Sequence, residues 1–263
     1  MSAFGVEVRR DASGVAWLVL RNPERLNAVR LEMWQAIPVL IADLEADPAV
    51  RVVVLRGDGT DAFASGADIS EFETHRKDAA SAAAYERTTA HAFDALTAFA
   101  KPLVAMIQGV CIGGGLAIAA SADLRVAAED ARFAVPAARL GLGYHVNGVE
   151  RLVRLLGPSA AAELFFTARR YDAAEALRIG LVNQVVAKAD LERFTLDYAG
   201  AIAANAPLTL RAAKRAIAEV QRDPGRRDPE AVGALIAACF ESADYAEGVR
   251  AFLEKRAPKF RGV

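Results

Sequence analysis

The chain has 263 residues, 54% of them hydrophobic and 25% charged, enough to bury a sizeable core in one large domain or two small ones. A formal net charge of -1, with a pI near 6.3, excludes a global field favouring nucleic acid or an anionic membrane, so an anionic ligand needs a local basic cluster. Two cysteines, Cys111 and Cys239, exclude a disulfide framework and carry no metal-ligand spacing; both read as small, buried, reduced hydrophobes.

In chain order, the opening residues lack an apolar signal-peptide stretch, and a cytoplasmic protein is expected. Val6–Arg10 and Ala16–Leu20 read as short strands around the turn Asp11–Gly14. Asn27 is placed to cap a helix running to about Leu44, with Met33, Ile37, Leu40 and Ile41 at helical spacing. Val52–Leu55 is a β-branched run typical of a buried strand. A glycine-containing loop leads to a short helix from Asp68 to about Phe72, then to a helix over Ala79–Phe99. Pro102–Ile107 reads as another buried strand, and Leu124–Ala127 as a further one. The apolar stretch Pro102–Ala122 is broken by Gln108, Gly109 and three consecutive glycines, which makes it a poor membrane span. From Gly148 the pattern is mostly helical: Gly148–Leu156, Ser159–Thr167, Asp172–Ile179, Leu191–Ala204, Leu208–Val220, Pro229–Cys239 and Ser242–Lys255. Strand–helix alternation followed by helices predicts an α/β fold, with a core over residues 1–200 and a helical C-terminal region over 201–263.

Two glycine loops carry the chemistry. The first, Phe63–Phe72, includes Ser65-Gly66-Ala67-Asp68-Ile69-Ser70; small residues admit a ligand close to backbone N–H groups, and Asp68 is placed to cap the next helix. The second, Gln108–Leu116, follows a strand, contains Gly113-Gly114-Gly115 and opens a helix, so free N–H groups point into the loop. Neither has the glycine and lysine spacing of a dinucleotide or nucleotide phosphate loop. Brought together, they would offer two backbone donors to one oxygen, an arrangement that stabilises negative charge developing on a carbonyl.

The segments Asn22–Ala28, Phe63–Phe72, Gln108–Ser121, Asp123–Ala127, Phe133–Leu142, Phe166–Ala168, Ala174–Val186 and Ala251–Arg256 resemble, in order, the signatures of the enoyl-CoA hydratase/isomerase (crotonase) family. The resemblance implies a spiral of ββα units with a helical trimerisation region, and homotrimers or dimers of trimers. It implies an acyl-CoA substrate, with the N–H groups of Ala67 and Gly114 as an oxyanion hole for the thioester. Arg25, Ala28, Ala67, Asp68, Ile69, Ser70, Gly114 and Ala137 are the implied substrate-binding positions, and Arg25, Arg30 and the Lys255–Arg261 cluster are candidates for the coenzyme A phosphates. No metal or other cofactor is implied.

The family's hydratases use two glutamates, at the places held here by Ala117 and Ala137, and a methyl group moves no proton. The segment Leu140-Gly141-Leu142-Gly143-Tyr144-His145, with the ending Asp244–Gly248, most resembles the family's methylmalonyl-CoA decarboxylases. Tyr144 and His145 are therefore the candidate catalytic side chains. Loss of CO2 from a 2-carboxyacyl-CoA makes the enolate directly, with no base, and a site without carboxylates suits a substrate that carries an extra one. Two alternatives stay open: a hydratase or isomerase with a relocated acid or base, such as His145, Glu71 or Glu150, and a non-catalytic acyl-CoA binder. His75 and His91 read as packed or solvated.

Overall fold

The computed structural model describes residues 4–144 and 146–263. The elements run β1 (Gly5–Arg10), β2 (Val15–Arg21), α1 (Leu31–Ala46), β3 (Val52–Gly57), β4 (Ala62–Ala64), α2 (Phe72–His75), α3 (Ala79–Ala98), β5 (Leu103–Ile107), β6 (Val110–Ile112), α4 (Gly114–Ala120), β7 (Leu124–Ala128), β8 (Arg132–Ala134), α5 (Ala137–Leu140), α6 (Val146–Leu156), α7 (Pro158–Thr167), β9 (Tyr171–Asp172), α8 (Ala173–Arg178), β10 (Gln184–Val186), α9 (Leu191–Ala203), α10 (Pro207–Val220), α11 (Pro229–Glu241) and α12 (Ala243–Leu253).

The apolar runs become strands because both of their faces find a partner. In β3, Val53 and Leu55 face a core shared with α1 and α3, while Val52 and Val54 face a second core with Leu191, Ala199 and Ala203 of α9. Alternation of period two thus splits a continuous apolar run between two layers. The main sheet has the order β1-β2-β3-β5-β7-β10, antiparallel only at β1/β2, and a smaller sheet has the order β4-β6-β8-β9. The pairs β3/β4, β5/β6 and β7/β8 each send one strand to each sheet before the chain moves on. This is the expected spiral of two strands and a connection, and it stacks successive turns in parallel register.

The short strands β4, β6, β8, β9 and β10 escape a reading by periodicity, because two or three residues cannot display a period. Four of them build the smaller sheet, and that sheet carries the site. The two cysteines also differ: Cys111 is buried in β6, where burial pushes its thiol pKa up, whereas Cys239 is only half-buried.

Asn27 does not cap α1, whose N-cap is Arg30. It sits instead at φ 56 and is 1% exposed. Its side chain accepts from the Asn22 N–H at 3.0 Å and donates to the carbonyls of Asp58 and Ala62, each at 2.9 Å. It therefore pins the approach to α1 onto β4, a job for which a short amide tolerant of left-handed backbone is suited. Replacing Asn27 by Ala should cost about 2–3 kcal/mol, from three lost hydrogen bonds and buried carbonyls left without donors. Urea unfolding reads this directly, and a loss below about 1 kcal/mol would contradict the assignment.

Candidate active site

Ala67 lies in the loop after β4, in a parallel bridge with Val29. The Val29 N–H donates to the Gly66 carbonyl at 2.7 Å, and the Val29 carbonyl accepts the Asp68 N–H at 3.0 Å. Residue 67, between those two bonds, turns its own N–H to the other side. Gly66 makes this possible at φ +113, where a side chain is strained. A Cβ there would come 3.2 Å from the Ile112 carbonyl oxygen and 3.6 Å from the Gly114 nitrogen.

The second loop meets the first at that point. Gly114 is the first residue of α4, so its N–H has no partner inside the helix. A Cβ built on it would lie 3.4 Å from the Ala67 nitrogen. Among the described residues neither N–H has an acceptor. The pair therefore converges on one place and can hold an oxygen that gains negative charge. α4 comes this close because Gly115 has no side chain: a Cβ would sit 2.3 Å from the Ala64 carbonyl oxygen.

Both N–H groups open into a cavity of about 650 Å³, within the range of small-molecule sites. Ala117 and Ala137 line it, as do Ile69, Leu142 and Tyr144. The opposite wall is α3, through Tyr85, Thr89, Ala90 and Phe93. Behind Gly114 stands Trp34, 1% exposed, with ring carbons 3.2 Å from where a Gly114 Cβ would be. Its indole Nε1–H donates to the Tyr85 hydroxyl at 3.0 Å, and its ring meets Phe93 edge-on at 5.2 Å. Burial pushes the Tyr85 pKa up to about 12, against the pull of Arg76, so its hydroxyl stays neutral. Tyr144 packs edge-on against Phe165 of α7 at 5.1 Å. Partial burial raises the Tyr144 pKa, and Arg76 partly opposes this.

Of the residues read from the sequence, Ala67, Ile69, Gly114, Ala137 and Tyr144 line the cavity together. Arg25, Ala28, Asp68 and Ser70 do not line it; they support the loop that does. Asp68, 3% exposed, caps the short turn after it: it accepts from the Ser70 N–H at 3.1 Å and the Ser70 hydroxyl at 2.7 Å, and pairs with Arg25 at 3.2 Å. Ala28 is buried, and its carbonyl accepts from the Asn22 side chain at 2.8 Å. Glu71 answers the dipole of α1 rather than that of its own helix, accepting from the Leu31 N–H at 2.8 Å and pairing with Arg30 at 2.9 Å. Glu150 pairs with Arg154 on the surface at 2.6 Å. Neither glutamate faces the cavity, and neither do His75 and His91. His145 lies outside the described residues.

The expectation of a wall without carboxylates is corrected: Glu86 and Asp94 of α3 line the cavity, together with Arg76, Arg87 and Arg151. These were missed because α3 follows the first loop at a distance in sequence and looks like an ordinary polar helix. The available signal was Tyr85, Ala92 and Leu96, which recur at helical spacing and turn one face of α3 inward.

The sequence model of the enoyl-CoA hydratase/isomerase family matches residues 10–263. The short-chain-enoyl-CoA hydratase of Clostridium acetobutylicum is 35% identical over 246 residues, which is 92% of each chain. The crotonyl-CoA hydratase of Syntrophomonas wolfei is 33% identical, with 94% of each covered. A crystal structure of an enoyl-CoA hydratase/carnithine racemase from Magnetospirillum magneticum superposes with a TM-score of 0.94 at 36% identity, covering 100% of this chain and 97% of that one. With the spiral, the two glycine loops and these likenesses spanning nearly all its length, the chain belongs to the enoyl-CoA hydratase/isomerase family.

Proposed function

We propose that this chain is an acyl-CoA lyase that holds the thioester oxygen between the N–H groups of Ala67 and Gly114 and decarboxylates a 2-carboxyacyl-CoA. The observation that carries the reading is the pair of methyl groups at Ala117 and Ala137 in the cavity wall. They stand where the resemblance to the family's hydratases expects glutamates, and Ala117 follows Gly114 by one helical turn. Decarboxylation needs no base there. The bond between C2 and the carboxylate breaks, and its electron pair forms the C1–C2 double bond of the enolate. The charge then rests on the thioester oxygen, where two fixed donors are worth most. CO2 leaves neutral, and C2 afterwards takes a proton to give the shorter acyl-CoA. The Tyr144 hydroxyl, an O–H on a residue that lines the cavity, is the donor assigned to the departing carboxylate. Like the family's decarboxylases named above, the chain carries this tyrosine after a Leu-Gly pair.

A second reading has its own support. Glu86 and Asp94 bring carboxylates to the same cavity, and the relatives named above are hydratases. A hydratase with its acid and base moved to α3 would use them.

Turnover on methylmalonyl-CoA and crotonyl-CoA, followed by mass spectrometry, separates the two. The expected result is propionyl-CoA from the first, about tenfold slower in Tyr144→Phe from the loss of one hydrogen bond, and no 3-hydroxybutyryl-CoA from the second. Clean hydration of crotonyl-CoA would transfer the function to the second reading, and binding with no turnover of either would leave a binder.

Assembly as a trimer or a dimer of trimers is proposed as well, through α11 and α12. There Phe240, Phe252 and Leu253 are 62%, 83% and 75% exposed in a single chain, an apolar surface of the kind that marks association. Light scattering should return a particle of three or six chains; a monomer at micromolar concentration would contradict the assembly.

A further inference from the structure

Arg76 follows α2, and its guanidinium is gripped by two rings. The Cζ atom lies 4.4 Å from the centroid of Phe72 and 4.3 Å from that of Tyr85. The Nε atom is fully buried and has no hydrogen-bond partner. Among the described residues Arg76 makes no ion pair; of the nearby acids, Asp68 is engaged by Arg25 and Ser70, and Glu71 by Arg30 and the Leu31 N–H. The other arginines of the cavity wall differ. Arg151 donates to the Ser121 hydroxyl and feels the charge of Asp94, and Arg87 is exposed to solvent.

A guanidinium lying over two rings, desolvated at Nε and without an ion pair is prepared for a planar anion, which it can take through two parallel N–H bonds. The two ring contacts restrain the side chain, so less freedom is lost on binding. Arg76 also lines the cavity into which the N–H pair opens. It stacks on Tyr85, whose hydroxyl accepts from Trp34, whose ring backs Gly114. One ligand lying in this cavity can reach both.

We propose that Arg76 is the receptor for a carboxylate carried on the acyl chain, so that the cavity selects carboxyacyl-CoA thioesters over uncharged ones. This rests on the reading of the cavity as an acyl-CoA site, and it names what that site selects. A site built around a buried donor rejects the analogue that lacks the acceptor far more strongly than an apolar pocket rejects a missing methyl group.

Competitive binding on the full-length protein tests this with charged and uncharged partners: methylmalonyl-, succinyl- and glutaryl-CoA against isobutyryl-, butyryl- and pentanoyl-CoA. At least one charged thioester should bind about tenfold or more tightly than its uncharged partner. In Arg76→Gln that ratio should fall to within about threefold of one, and Arg76→Lys should keep part of it, since the charge remains but the fork is lost. Equal binding of both classes by the wild type overturns the proposal. So does a preference that survives in Arg76→Gln, or a uniform weakening of both classes with their ratio intact, which is what a purely packing role would give. An Arg76-dependent preference without release of CO2 supports the receptor and sinks the decarboxylation. Binding of no thioester at all sinks the acyl-CoA reading and the receptor with it.

Discussion

Gly115 lies so close to β4 that a methyl group in place of its hydrogen would come within 2.3 Å of the Ala64 carbonyl oxygen. That approach sets where α4 begins, and hence where the Gly114 N–H points. The opposing N–H is set from the other side, by the bridge between Val29 and Ala67 and the left-handed turn at Gly66. Two donors held by backbone contacts alone need no side chain to reorganise when charge arrives, which is the condition under which they are most effective. The rest of the fold keeps these two contacts in place. The smaller sheet positions β4 against β6, Asn27 ties the chain before α1 to β4, and Trp34 closes the back of Gly114.

Around this fixed pair the cavity wall divides by chemistry. Near the donors it is methyl groups and glycine, with Ala117 and Ala137 offering no proton. Farther along α2 and α3 it becomes charged, with Arg76 between two rings and Glu86 and Asp94 on the helix. The proposed oxyanion hole belongs to the first part, and the proposed carboxylate receptor to the second. Backbone donors tolerate a dry, crowded position because they are neutral, whereas the charged Arg76 side chain lies over the rings of Phe72 and Tyr85.

The sequence showed the α/β alternation, the long helices and the two loops because each of these has a local signal: a β-branched run, a helical period or a cluster of glycines. Family resemblance added the pairing of Ala67 with Gly114, which no local pattern contains. What escaped was non-local. Asn27 looked like a helix cap because asparagine before an apolar helix commonly is one, yet its partners lie at Asp58 and Ala62. Glu71 looked like an acid in its own helix, and its acceptor atoms serve α1 instead. Arg76 gave no signal, since stacking on Phe72 and Tyr85 needs α2 and α3 to be brought side by side. The short strands of the smaller sheet were invisible for the same reason: only their neighbours make them strands.

The Ala67 and Gly114 N–H groups are proposed to reach one thioester oxygen together. Isotope-edited infrared spectroscopy of butyryl-CoA labelled with 13C at the thioester carbonyl, bound to the protein, tests it most directly. Two converging donors weaken the carbonyl bond more than water does, so the bound band should lie below its position in solution, and a band at or above the solution position would contradict the account.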